Sequence, residues 1–217
     1  MKKVVIAGST GLIGSTLIQL LISDDRIGEI VAITRRPLNI VSIKLKEIIV
    51  DFDNLSHINE QTNGDAIYFC LGTTKSKTPD NQLYRKIEHD YSLTLAGIGK
   101  HNNVPQFHYI SALGANSTSN FFYNRIKGIT EDDLNKVGLK SLHIYQPSLL
   151  IGERSELRIA EKLFTSIMNI VNPLLQGRLK KYQSIKAITV AQAMLNQTLK
   201  EVEGIHIYPS DKIKELV

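Results

Sequence analysis

A chain of 217 residues, 42% hydrophobic and 22% charged, has the composition of a soluble globular protein with one large core, which argues against two independent domains. The formal charge of +5 is scattered rather than blocked, so it suits an anionic small ligand and gives no argument for nucleic acid. Cys70 is the single cysteine, which excludes an internal disulfide; it reads as a small buried hydrophobe in a reducing compartment, and the expected location is cytoplasmic.

The opening apolar run, Val4 to Ala7, stops at Gly8, too soon for the core of a signal peptide, and reads as a first strand. No stretch approaches the roughly 18 uninterrupted apolar residues of a membrane helix. After the turn Gly8, Ser9, Thr10, Gly11, Leu12, Ile13, Gly14, the residues Ile13, Leu17, Leu20 and Leu21 recur at helical spacing. Apolar strands follow over 30–34 and 47–50, stopped by Arg35, Arg36 and Pro37 and by Asp51. A fourth strand spans 66–70, a helix 81–102, and a fifth strand 107–110 ends at Ser111. A polar loop over 114–120 precedes a helix over 121–137 and a sixth strand over 141–145. From Pro147 the rhythm changes to helices over 156–171 and 189–200.

Strands apolar on both faces, alternating with helices, predict an α/β fold. The expected architecture is a doubly wound parallel sheet with a small C-terminal helical cap. One domain would span 1–217, with a core over 1–150 and a small substrate or cap region over 151–217. Ligands of such a sheet lie at the carboxyl ends of its strands.

Gly8, Gly11 and Gly14 stand where a strand turns into a helix, which aims backbone N–H groups and the positive end of a helix dipole at one spot and suits a diphosphate. About 20 residues beyond, a dinucleotide site keeps the residue that reads the ribose. A carboxylate there would select NAD by accepting from the 2′-hydroxyl. This chain has Arg35 and Arg36, which can clamp a 2′-phosphate, so NADP(H) is expected over NAD(H); a solvated basic pair is the alternative. Asp51 could accept from the adenine amino group or serve only its turn.

Tyr123 and Lys127 share a helix face, and Ser111 ends the strand before it. The phenol can give or take a proton at a substrate oxygen, and a nearby ammonium and a positive nicotinamide favour phenolate. Ser111 would hold a substrate carbonyl, and Lys127 could also hold the nicotinamide ribose. Tyr182 with Lys186 and Tyr208 with Lys212 repeat the spacing without the serine, strand and helix in that order. Glu131, Asp132 and Asp133 read as a solvated helix face. No metal site is expected, because His57, His101, His108, His143 and His206 lack ligand spacing. Leu163, Phe164, Ile167 and Met168 form an apolar stripe for core packing, with a pocket wall or dimer surface as the alternative.

Residues 68–74 (YFCLGTT), His89, Asp90 and Tyr91, Ser111 with Gly114 and Ala115, and above all 119–128 (SNFFYNRIKG) resemble the Tat-interacting-protein branch of the atypical short-chain dehydrogenases/reductases. The likeness continues through Pro147 to Arg158 and through Thr189, Val190, Ala193, Met194 and Leu195. It implies a Rossmann fold with bound NADPH. It also implies cofactor contacts at Thr10, Gly11, Leu12, Ile13, Arg35, Arg36, Leu71, Gly72, Leu150 and Arg158, and Tyr123 as proton acceptor beside Lys127. Two positions depart from the pattern: Ala112 replaces a second serine, and Glu88 replaces the asparagine that many short-chain dehydrogenases use in a proton relay.

The function expected is an NADP-dependent oxidoreductase that moves hydride to or from a small carbonyl or alcohol, with Tyr123 as proton donor or acceptor. Two alternatives stand beside it. One is an NADPH-binding redox sensor or regulator without turnover. The other is a nucleotide-sugar epimerase, against which the residues after the sixth strand are few for a nucleotide-sugar lobe. The partner expected is a small-molecule substrate, with neither nucleic acid nor a membrane, and a homodimer or protein partner left open.

Overall fold

A computed structural model describes residues 1–151 and 175–217. Strands β1 (Lys2–Ala7), β2 (Ile27–Thr34), β3 (Leu45–Ile49), β4 (Ala66–Phe69), β5 (Gln106–Ile110), β6 (Ser141–Gln146) and β9 (Gly204–Pro209) make one parallel sheet in the order β3-β2-β1-β4-β5-β6-β9. A separate pair joins β7 (Leu150–Ile151) to β8 (Ile185–Lys186). The helices are α1 (Leu12–Ser23), α2 (Asn81–Arg85), α3 (Tyr91–His101), α4 (Phe122–Lys136), α5 (Ala187–Lys200) and α6 (Ser210–Glu215). Strand order reverses at β1, which pairs with β2 on one side and β4 on the other; a doubly wound sheet opens its ligand crevice at such a point.

Both faces of the sheet are buried, which is why its inner strands read as unbroken apolar runs. Val4, Ile6, Ile30, Ala32 and Tyr68 pack with α1 and α5 on one face. Their neighbours Val5, Ala7, Val31, Ile33, Ile67 and Phe69 point the other way and pack with Leu95, Ile98 and Leu134 of α3 and α4. Alternation along each strand thus feeds two cores at once.

The long helix expected over 81–102 is α2 and α3 joined through a π turn at Lys86–Asp90. Strand β2 starts at Ile27, earlier than expected, and a 3-10 segment at Phe52–Gln61 buries Phe52, Leu55 and Ile58 between β3 and β4. Of the region read as a cap, α5 lies in the core layer beside α1, and β9 adds an unexpected edge strand to the sheet. The helix expected over 156–171 and its stripe Leu163, Phe164, Ile167 and Met168 lie outside the described residues. Among the described residues no helix is long and apolar enough to cross a membrane.

Candidate functional site

The glycine turn works by close approach. Gly8 has φ of +89°, and a Cβ on it would stand 2.5 Å from the backbone of Cys70. A Cβ on Gly14 would stand 2.1 Å from the Gly8 carbonyl oxygen, and the Gly11 amide donates to that same oxygen at 3.0 Å. Helix α1 begins after Gly11 with no side-chain cap and no acidic residue in its first turn, so its leading amides remain available to an anion. The Ser9 hydroxyl in the same turn is buried with no hydrogen-bond partner. The residues present fit the diphosphate of a dinucleotide.

From this turn a cleft of about 1350 Å³ runs across the strand ends. It brings together Thr10, Gly11, Leu12 and Ile13, then Leu71 and Gly72, then Ser111, Tyr123, Lys127 and Leu150. Arg35 and Arg36 lie exposed just past β2, without an ion pair among the described residues, and outside the walls of this cleft. Asp51 is exposed past β3, where its Oδ1 accepts the Asp53 amide at 3.1 Å. Arg158 lies outside the described residues. Cys70 is half-buried on the cleft wall, and desolvation pushes its thiol up to about 12, so it is no thiolate nucleophile.

Tyr123 sits in the first turn of α4 at the mouth of the cleft, 42% exposed, and Lys127 one turn later is buried. The ammonium of Lys127 lies 2.7 Å from Glu88 Oε2 and donates to the Ile110 carbonyl at 2.7 Å and the Tyr109 hydroxyl at 3.2 Å. Burial works to lower its pKa, but Glu88 foremost, with Tyr109 and Tyr123, holds it well above the usual lysine value. The depressed Tyr123 pKa expected from this ammonium is not found in the protein alone. Desolvation raises the phenol, Lys127 lowers it, Glu88 raises it again, and the net shift is upward.

Ser111 donates its hydroxyl proton to Glu131 Oε1, and Gln146 Nε2 donates to both oxygens of that carboxylate at 2.9 and 3.0 Å. Glu131 is therefore no solvated residue: burial raises its pKa against the lowering bonds from Ser111 and Gln146. Asp133 also departs from the solvated reading, because its Oδ2 is 3.0 Å from Nε2 of the buried His89. The spacing from Tyr123 through Lys127 to Glu131 places all three on one α4 face, a signal that was available in the sequence.

The two other tyrosine–lysine pairs fail to reproduce the site. Tyr182 ends a 3-10 segment at Gly177–Tyr182, and Tyr208 lies on β9 with its hydroxyl 3.1 Å from His143 Nδ1. Glu88, Thr73, Tyr109, Glu131 and Gln146 join the site through tertiary contacts. Of these, Glu131 could have been found from its spacing to Tyr123 and Lys127, and Glu88 stands out only as a departure from a pattern.

The family described as NAD dependent epimerase/dehydratase matches residues 4–201. The mitochondrial protein FMP52 of Candida albicans is 31% identical over 207 residues, covering 90% of both chains. HTATIP2 of Rattus norvegicus is 27% identical over 211 residues, covering 94% of this chain and 84% of its own. Among solved structures, Bordetella bronchiseptica WbmH in complex with NAD+ superposes with a TM-score of 0.69 at 19% identity, over 99% of this chain and 79% of that one. Thermotoga maritima UDP-glucose 4-epimerase with UDP-glucose gives 0.71 at 14% identity, over 95% and 75%. These structural likenesses show the fold. The expected cytoplasmic location is overturned, since FMP52 relatives from Candida albicans, Aspergillus clavatus and Coccidioides immitis are named mitochondrial. A lone cysteine excludes an internal disulfide without telling one reducing compartment from another.

Proposed function

The chain belongs to the NAD dependent epimerase/dehydratase family, in the branch of FMP52 and HTATIP2, and on that premise we propose that it is an NADP(H)-dependent oxidoreductase of a small carbonyl or alcohol. The observation that supports this reading most is one continuous cleft with an uncapped helix start at one end and Tyr123 at the other. NADP(H), when bound, supplies or accepts the hydride. Gly8, Gly11 and Gly14 let the backbone close around the diphosphate, and Arg35 and Arg36 hold the 2′-phosphate.

Tyr123 gives its phenol proton to the substrate oxygen in reduction and takes it back in oxidation. Together the new C–H and O–H bonds make the alcohol, and water restores the phenol. Ser111 faces the same region, but with its proton on Glu131 it offers lone pairs, which suit the hydroxyl of an alcohol.

The test is NADPH oxidation across a panel of aldehydes and ketones by the wild type and by Tyr123→Phe, with NADPH binding measured separately. Turnover lost in the variant with binding intact supports the enzyme. NADP(H) released on denaturation, with no turnover on any carbonyl, supports a regulatory NADPH-binding protein instead. Epimerisation of a nucleotide sugar without net change in cofactor would support the third reading.

A further inference from the structure

The ammonium of Lys127 donates to the Ile110 carbonyl and the Tyr109 hydroxyl and forms a close ion pair, at 2.7 Å, with Glu88 Oε2. Glu88 is 1% exposed and comes from the π turn, a helix irregularity frequent at functional sites. Its second oxygen accepts the Thr73 amide at 2.6 Å, which ties it to the loop leaving β4. The turn is pinned by the next residue: His89 places Nδ1 2.6 Å from Asp90 and Nε2 3.0 Å from Asp133 on α4. Glu88 is thus held against Lys127 from both sides.

Resting on the oxidoreductase reading, we propose that Glu88 is a positioning residue of the reacting centre. By pairing with Lys127 it cancels the pull of the ammonium on Tyr123, so that the phenol enters the site as a proton donor, the state needed for carbonyl reduction. The substrate oxygen takes that proton, and solvent reprotonates the tyrosinate. The other ionisable groups facing the pair are Tyr109 on β5, Tyr84 on α2 and Glu131 on α4. Burial pushes Tyr109 up to about 12 and Tyr84 higher still, and Glu131 is engaged by Ser111 and Gln146, so none of them replaces Glu88.

The experiment is an NMR titration of the full chain, without cofactor or substrate, carrying ¹³Cζ-tyrosine and ¹³Cε-lysine. Signals are assigned by their loss in Tyr123→Phe and Lys127→Met. Glu88→Gln keeps the shape and an acceptor for Thr73 while removing the charge. It should let the first proton leave the coupled Tyr123–Lys127 pair at a pH lower by about one unit or more. A merely structural strut would leave that titration where it is in the wild type, and such a result overturns the proposal.

If Glu88→Gln does not fold, a second comparison decides. Lys127→Met leaves the Glu88 carboxylate unpaired in the cleft that it shares with the Tyr123 phenol and should raise the Tyr123 titration. The double variant Glu88→Gln/Lys127→Met carries neither charge and should bring it back down. Equal Tyr123 titrations in those two variants overturn the proposal. Because no turnover is measured, loss of the oxidoreductase reading would leave these shifts in place, and flat titrations beside intact turnover would remove the role of Glu88 alone.

Discussion

The hydroxyl proton of Ser111 is committed to Glu131, a carboxylate that Gln146 also holds from β6 at 2.9 and 3.0 Å. Folding raises the Glu131 pKa, chiefly by desolvation, so the native state binds its proton more readily than the unfolded chain does. For a carboxylate shifted upward, stability is fully present below the ordinary value of 4.5 and declines as pH rises through the folded value. Glu131→Gln removes that titration. Urea denaturation of both proteins should show the wild type losing stability relative to the variant as pH rises from 4.5, and parallel pH curves would rule out a buried, ionising Glu131.

Gly14→Ala and Gly97→Ala should act in opposite directions although both lie in helices. At Gly14 the new methyl group would meet the Gly8 carbonyl oxygen at 2.1 Å, so either α1 or the turn must move. NADPH binding should fall by at least tenfold, with a lowered melting temperature. At Gly97, on the exposed face of α3, a Cβ meets nothing within 4 Å. There the gain in helix propensity should stabilise by about 0.5–1 kcal/mol and leave cofactor affinity unchanged.

Arg35 and Arg36 decide between cofactors. Both are exposed past β2 and neither is paired with a carboxylate among the described residues, so their guanidinium groups are available to a phosphate. Charge-assisted bonds of this type contribute about 1.5–3 kcal/mol each. Replacing both by alanine should weaken NADPH binding on the order of 100-fold and change NADH binding little. Equal losses for the two cofactors, measured by fluorescence titration, would remove the phosphate clamp from the proposed function.

What could be read from the sequence was local. The glycine turn, the arginine pair and the Tyr123–Lys127 spacing are defined by near neighbours, and the inner strands announce themselves because both of their faces are buried. Strand β9 carries a different signal: at the sheet edge Ile205 and Ile207 are half exposed and alternate with His206 and Tyr208, a short period-2 pattern that a search for unbroken apolar runs passes over. The ionisation of the site was out of reach. The Lys127 ammonium invites the inference of a depressed Tyr123 pKa, and only the fold brings Glu88 from the π turn to oppose it.

The last prediction concerns a row of imidazoles built by strand register. His108, His143 and His206 occupy paired positions on β5, β6 and β9, with ring centroids 4.5 Å apart for the first pair and 5.1 Å for the second. His143 lies between the Ser141 hydroxyl at 2.8 Å and the Tyr208 hydroxyl at 3.1 Å, partners that suit a neutral ring with one donor and one acceptor nitrogen. Burial drives its pKa from 6.5 down to about 4, and burial together with the stacked His143 drives His108 well below 6.5. The unfolded chain then binds more protons than the native one between those values. Stability is present above pH 6.5 and is lost as pH falls toward 4, by roughly 3 kcal/mol for His143 alone. Urea midpoints measured from pH 7.5 down to about 5 should fall steeply in the wild type. His143→Gln retains a donor and an acceptor without titrating, so it should flatten that fall; an unchanged slope in the variant would show that the acid sensitivity comes from other groups.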